Sequence, residues 1–218
     1  MIRLPRLRYS LPLAGGIALV AAVPLLAQQD AGLPGQVDVS RVTAGTYTTD
    51  PAHTLVGWRL NHFGFNDYFG VFGQVEGTLQ LDPANPEDAE LEVTIPISSV
   101  AVASEGLKAH LLRPGKDGGA PDFFGPEPEP AKFVSTQVIR TGDTSAQIVG
   151  DLTLNGVTKP VAIAAVFTGA GTNPMSKAET VGFEGRAVLK RSDFGLTTFV
   201  PVVSDEVELS LTAAFEKQ

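Results

Sequence analysis

The 218-residue sequence contains no cysteine. Disulfides, thiolate metal sites and a cysteine nucleophile are therefore excluded, and burial alone must stabilise the fold. A chain of this length suffices for that, since about 190 residues bury roughly 70% of their unfolded surface. Histidine is also scarce, with only His53, His62 and His110. His53 and His62 fall on opposite sides of a regular strand, His110 lies in a separate segment, and no dense carboxylate cluster completes a set, so no metal site is expected. No Gly-x-Ser-x-Gly elbow is present, nor a glycine-rich nucleotide loop at a strand–helix junction. Most acids sit in loops, as Glu87, Asp88, Glu127 and Glu129 do. Ser192-Asp193 and Ser204-Asp205 read as turn or strand-end residues whose side chains bond to the backbone. No catalytic residue is expected.

Long helical periodicity is missing too, and so is a hydrophobic run long enough for a clear membrane span. Leu11 to Leu26 is apolar and uncharged, but Gly15, Gly16 and Pro24 interrupt it. Arg3, Arg6 and Arg8 precede this run, and Gln28, Gln29 and Asp30 follow it. That is the layout of a cleavable secretory signal over residues 1–27, with Ala27 as the first choice of cleavage site and Ala31 the second. Removing its three Arg and no acid shifts the formal net charge from −8 to −11. Such a surface repels phosphate backbones and anionic headgroups, so nucleic acid is not expected as a partner. A transient membrane contact would have to be apolar or made through a local patch.

What is present is a series of strands. Residues 28–46 are small and polar and read as a flexible lead-in to a single domain over residues 47–218. Thr54, Val56, Trp58, Leu60 and His62 alternate with Leu55, Gly57, Arg59 and Asn61, the period of a strand. Val71, Gly73, Val75, Gly77, Leu79 and Leu81 share one face of a long run. Leu91 to Ile97, Phe133 to Ile139, Ala146 to Leu154, Val161 to Phe167, Val181 to Leu189 and Val207 to Phe215 complete about eight strands. Asn155-Gly156 between two of them is a strong hairpin signal. One face of each is apolar, as an antiparallel sheet with one wet face requires. The in-strand glycines Gly73, Gly77, Gly150 and Gly185 favour closure into a barrel over a sandwich.

Ser104 to Leu112 is the one segment that reads as a helix, with Ser104 as N-cap and Leu107, Leu111 and Leu112 facing inward. It is expected over one end of the barrel, followed by a long Gly- and Pro-rich loop to Pro130. Phe123 and Phe124 stand in that otherwise polar loop. Of the 12 Phe, Phe63, Phe65, Phe69 and Phe72 crowd into the first hairpin. Strand-borne phenylalanines read chiefly as ordinary core. Yet large inner-face residues (Trp58, Phe167, Phe183) alternate with small ones (Gly73, Gly77, Ala165, Ala187). An eight-stranded barrel holds one ligand when its side chains leave space.

The chain resembles the YceI-like family of lipocalin-like, polyisoprenoid-binding periplasmic proteins. The resemblance runs from about Tyr47 to Phe215 and rests on motifs in matching order. These are Tyr47-x-x-Asp50-Pro51-x-His53-Thr54, then His62 followed by Gly70-x-Phe72-Gly73, Ile97-Ser98-Ser99-Val100, His110-Leu111 and Asp122-Phe123-Phe124. Pro130-Ala131-Lys132-Phe133-x-Ser135 follows. Leu152-Thr153-Leu154-Asn155-Gly156-Val157-Thr158-Lys159-Pro160-Val161, Arg191-Ser192-Asp193-Phe194-Gly195-Leu196 and Ser204-Asp205-x-Val207 are the remaining pieces. Two departures fall beside the presumed mouth. Leu112 to Pro121 is longer than the family's connection, and Ala109 stands where the family has an acid.

The resemblance implies an all-β fold: an extended eight-stranded antiparallel barrel with an apolar tunnel and one short helix near its mouth. It implies a periplasmic protein that binds a long apolar lipid, such as a polyisoprenoid or an isoprenoid quinone, with no resident cofactor and no catalytic residue. Given such a tunnel, the side chains expected against the ligand are Trp58, Leu60, Phe72, Ile95, Leu111, Phe123, Phe124, Ile163, Phe167, Phe183, Leu189 and Phe194. An enzyme acting on an amphiphile and a structural or partner-binding envelope protein are the alternatives; oligomeric state is not legible. The leader yields a direct prediction. N-terminal sequencing of the exported chain should return a start at or close to Gln28, and recovery of only full-length chain in the membrane pellet would contradict a cleaved signal.

Overall fold

The computed structural model describes residues 32–218; the expected leader at residues 1–27 lies outside them. The chain divides into two units, Met1–Leu33 and Pro34–Gln218, and the elements below belong to the second. Its strands are β1 (Gly45–Thr49), β2 (Leu55–His62), β3 (Asn66–Phe72), β4 (Glu76–Leu81), β5 (Glu90–Ile95), β6 (Ala131–Arg140), β7 (Ser145–Leu154), β8 (Val157–Thr172), β9 (Glu179–Lys190) and β10 (Glu206–Lys217). Helix α1 (Glu105–Leu111) lies between β5 and β6. The antiparallel ladder runs β1–β4–β5–β6–β7–β8–β9–β10 and returns from β10 to β1, so eight strands close into a barrel. The hairpin β2–β3 prolongs this wall. β10 pairs with β1 through Phe215–Lys217 and with β2 through Glu208–Thr212. Thus β1 and β2 are one barrel strand broken by a turn, and β3 and β4 are another.

Each break has its own polar repair. At the first, Asp50 accepts from the Ala52 N–H at 3.0 Å and lies 2.6 Å from His53 Nδ1. The Thr54 hydroxyl donates to Ala214 O and accepts from Ala214 N, both at 3.2 Å, which satisfies backbone groups of β10 that a continuous strand would have paired. At the second, Gln74 adopts φ 57 and Gly73 N–H donates to Ser99 Oγ at 3.0 Å. The single run expected from Val71 to Leu81 is therefore interrupted, and its face changes. Phe72 points into the barrel before the break, while Val75, Leu79 and Leu81 do so after it. Val75 is three positions after Phe72, and in a period-two element an odd step exchanges the faces.

Two bulges act the same way. The β6–β7 register shifts at Thr136, so Phe133 faces inward before it and Val138 after it. The β8–β9 register shifts at Thr168, so Phe167 faces inward before it and the buried side chain after it is Ala170. Extra residues of this kind bend a strand and increase its twist, which closure of a small barrel needs. Glycines make room where large rings cross the wall. A Cβ at residue 150 would stand 2.4 Å from Phe133 Cζ.

The expected flexible lead-in is instead packed from Gln36 onward. Gln36 exchanges backbone hydrogen bonds with Ala170 at 3.0 and 2.8 Å. Val42 is buried, and Thr43 donates from N and Oγ to the Glu179 carboxylate at 2.8 and 2.7 Å. Tyr47, fully buried, donates its hydroxyl toward Glu179 at 2.6 Å and Thr43 O at 2.5 Å. Burial and the neighbouring carboxylate push the Tyr47 phenol up to about 12. Burial pushes the Glu179 carboxyl up, but hydrogen bonds from Thr43 and Tyr47 outweigh it and hold the group below its usual range. Polar composition suggested mobility here; one carboxylate collecting three donors supplies the order.

The segment between β9 and β10 folds around Arg191, which is 3% exposed. Its guanidinium donates to Ser204 O at 2.9 Å, Leu196 O at 2.7 Å, Thr198 O at 2.8 Å and Val203 O at 2.8 Å. Burial lowers its pKa, and Asp205 nearby works in the opposite direction. The Asp205 carboxylate accepts from Ser192 N and Oγ at 2.9 and 2.7 Å, so Ser192 and Asp205 are a strand-end tie. Arg191→Met would leave four carbonyls without their donor. Because each orphaned buried acceptor costs about 1–3 kcal/mol, the variant should lose about 3 kcal/mol or more of unfolding free energy in a urea melt. A loss below about 1 kcal/mol would show that this knot is dispensable.

Candidate ligand tunnel

The inward faces leave a cavity of about 500 Å³ running through the barrel. Its middle is lined by Leu79, Leu91, Val93, Ile148, Ile163, Ala165, Phe167, Phe183, Ala187, Leu211 and Phe215. Phe183 stands edge-on to Phe167 and to Phe215, with ring centroids 5.8 and 6.2 Å apart. Such edge-to-face pairs hold large rings in fixed orientations, so they shape space rather than fill it at random.

The end beneath α1 is roofed. Ser104 caps the helix by accepting from Leu107 N at 3.2 Å, as its sequence position suggests. Leu111 is buried under the helix and lines the cavity. Its carbonyl accepts from Phe124 N at 3.1 Å and Gly125 N at 3.3 Å, which draws the following loop onto the helix end. Phe124 then meets Phe72 edge-on at 6.1 Å, and Phe123 meets the His110 ring at 5.2 Å. Asp122 ties the two pieces together. Its carboxylate lies 2.6 Å from Arg113 Nη2 and 2.8 Å from His110 Nε2, and both contacts hold it below the usual carboxylate range. A depressed carboxyl pKa means that this tie is present above the ordinary Asp range and is lost only as the pH falls through the lowered value.

The far end is different. There the lining includes the exposed residues Pro83, Arg140, Gly142 and Asp143, together with Thr144, Ser145 and Val42. The lining is thus polar and solvated at the end away from the helix, where Arg140 bonds Gly142 O at 2.9 Å and Asp143 at 3.1 Å. At the end beside the helix, where sequence reading placed the mouth, the loop Leu112–Pro130 folds onto α1 through Leu111 O.

Of the candidate lining residues, Trp58, Leu60, Phe72, Ile95, Leu111, Phe123, Phe124, Ile163, Phe167, Phe183 and Leu189 line the cavity. Phe194 does not. It is buried among the inward-facing Val75, Ile95, Ile97, Ala131, Phe133 and Leu152, which line the cavity in its place. Trp58 lies against its cross-strand partner Gly70, where a Cβ would stand 2.1 Å from Trp58 Cζ2. Its indole Nε1 is buried with no hydrogen-bond partner. Phe63, Phe65 and Phe69, grouped with Phe72 in the first hairpin, are exposed rather than core. Sequence reasoning missed the rim at Arg140–Ser145, which reads only as a turn. It also missed Arg191, which lines the roofed end. A buried arginine that bonds only to backbone carbonyls has no partner residue in the sequence to betray it. His53, His62 and His110 lie in separate places: the first bonds Asp50, the second meets Phe63 edge-on at 4.4 Å, and the third belongs to the roof.

The lining can desolvate a long hydrocarbon and offers it few polar contacts. Arg191 is engaged by four carbonyls, and Arg140 pairs with Asp143 at the exposed rim.

Comparison with known proteins agrees with this architecture. The YceI-like domain matches residues 47–215. A UPF0312 protein of Ectopseudomonas mendocina is 38% identical over 161 residues, covering 73% of this chain and 80% of that protein. One from Pseudomonas aeruginosa is 40% identical over 161 residues, with the same coverage. Among solved structures, Burkholderia cenocepacia BcnA superposes with a TM-score of 0.64 at 23% identity, covering 76% of this chain and 98% of that one. The Campylobacter jejuni YCEI protein gives 0.60 at 27% identity, covering 72% and 90%. A polyisoprenoid binding domain from Saccharophagus degradans, implicated in plant cell wall breakdown, gives 0.58 at 13% identity, covering 79% and 98%. The matched span, the relatives and the closed eight-stranded barrel converge, and the chain belongs to the YceI-like domain family.

Proposed function

We propose that this protein is exported to the periplasm, where it carries or sequesters one long apolar lipid, a polyisoprenoid, an isoprenoid quinone or a similar amphiphile, and does not transform it. The observation that carries this reading is the cavity of about 500 Å³ with its almost wholly hydrocarbon lining. That volume falls within the usual range of ligand pockets, about 300–1,000 Å³. The polyisoprenoid binding domain that shares the fold supports the same ligand class. The leader-like residues 1–27 support export. Energetically, each tail carbon that the cavity encloses is worth about 0.3 kcal/mol, so affinity grows with the length of tail taken up and needs no polar anchor.

Native mass spectrometry with organic extraction of protein purified from its own host tests the reading, and a lipid with an isoprenoid tail is the expected result. Ala165→Phe adds a ring to the cavity wall and should cut lipid loading at least tenfold, and added isoprenoid should no longer change Trp58 emission. Unchanged loading in that variant would place the lipid outside the barrel.

The roof supplies a second test. Phe123 packs on His110 and touches the cavity, whereas Phe124 also joins the upper core cluster. Phe123→Ser should speed lipid dissociation severalfold with little change in the denaturation midpoint. Phe124→Ser should cost about 2–4 kcal/mol of stability. Equal dissociation rates for wild type and Phe123→Ser would make the segment a fixed plug.

A further inference from the structure

The roofed end of the barrel also bears a group of solvent-facing apolar side chains. Phe65, at the tip of the β2–β3 hairpin, is 89% exposed, and Phe63, Phe199 and Val202 are about half exposed. They form one surface. Phe63 N donates to Val202 O at 2.8 Å, Val203 N donates to Phe199 O at 2.8 Å, and His62 bridges to Val203. Phe63 and Phe199 both sit in the left-handed region, at φ 57 and 63, which a bulky residue adopts only at a cost. The chain thus accepts backbone strain in segments that hold aromatic rings in water.

Three exposed valines on the outer wall contrast with this group. Val134, Val166 and Val188 stand singly on the outer wall, each across from an acidic residue: Glu92, Glu184 and Glu208. The loops that bear the aromatic group are also uncharged. Residues 61–66 and 195–203 contain no Asp, Glu, Lys or Arg, in a chain of 24 acids. The rim at the opposite end carries Asp82, Glu87, Asp88 and Asp143 on its turns.

We infer that Phe63, Phe65, Phe199 and Val202 seat the protein on an uncharged, zwitterionic lipid bilayer beside the roof of the tunnel. The inference rests on the lipid-carrying reading for its purpose. Exposed apolar patches mark interaction sites, and aromatic rings suit the boundary between water and lipid. The surface is continuous with the cavity: Phe199 meets His110 at 6.2 Å, His110 meets Phe123 at 5.2 Å, and Phe123 lines the tunnel. A lipid leaving beneath the roof here would pass from protein to bilayer with little exposure to water. Glu127 and Glu129 on the adjoining loop oppose an anionic surface, which is why an uncharged one is specified. Four side chains are too few for a stable dimer, whose interface needs roughly 20–30 residues a side.

The test uses the exported chain, vesicles of pure phosphatidylcholine, and the variants Phe65→Ser and Phe65→Ser/Phe199→Ser. Phe65 is a hairpin-tip side chain in solvent, so the single variant keeps the assay meaningful if the double one unfolds. Wild type should float with the vesicles, and each variant should partition at least tenfold more weakly while its extracted lipid content stays the same. Val166→Ser, on the outer wall, should float like wild type. Absence of flotation in wild type, or flotation unchanged in both variants, overturns the docking surface. So does light scattering that shows a dimer which the variants convert to monomer, since the rings then face a second copy. Phe65-dependent flotation with no extractable lipid would uphold docking and refute lipid carriage; bound lipid without flotation would do the reverse.

Discussion

Strand β10 has a sheet partner on both edges along most of its length, β9 on one side and β1 followed by β2 on the other. That double pairing closes the sheet, and closure governs what the inner face can do. An open sheet buries its apolar face against a second layer. A closed sheet of eight strands has no second layer to offer, and its inner face must either fill the interior or surround a space. Here the large rings Trp58, Phe167 and Phe183 alternate with Ala165, Gly185 and Ala187, and about 500 Å³ stays open. The tunnel is therefore a consequence of closure combined with an inner face of uneven size.

Closure also explains where polar chemistry appears. Wherever the wall breaks or bulges, backbone groups lose ladder partners, and a side chain replaces them. Thr54 serves Ala214 at the β1–β2 break, Ser99 serves Gly73 at the β3–β4 break, and Arg191 serves four carbonyls of the β9–β10 segment. These groups are consumed by the architecture, which leaves the lining with little free polarity. A site of this kind discriminates by length and shape, and affinity comes from removing hydrocarbon from water.

The two ends divide the labour. One is roofed by α1 and the Asp122 tie and flanked by uncharged aromatic loops; the other is a polar, acidic, solvated rim. The tunnel thus has unlike ends, apolar at Phe124 and polar at the Thr144–Ser145 rim. The same asymmetry sets the aromatic surface beside the roof rather than beside the polar rim.

Much of this was legible in the sequence because strand alternation and turn chemistry are local. Asn155-Gly156 announces its hairpin, Ser104 announces the helix cap, and the inward placement of Trp58, Phe167 and Phe183 follows from period two within unbroken strands. Parity arguments fail once a strand breaks or bulges. The interruption at Gly73–Val75 and the extra residues Thr136 and Thr168 each exchange faces, and nothing in the local pattern announces them. Polar composition likewise suggested a loose segment before Tyr47, whereas Glu179, more than 130 residues away in sequence, orders it. By itself, then, the sequence determined the all-β class, the strand count and the apolar character of the interior, since each depends on neighbours a few residues apart. The tertiary structure alone decided which end is roofed, that Phe194 is covered by the lining residues, and that Phe63, Phe65 and Phe199 face water. Those outcomes depend on contacts between segments far apart in the chain, which closure of the barrel brings together.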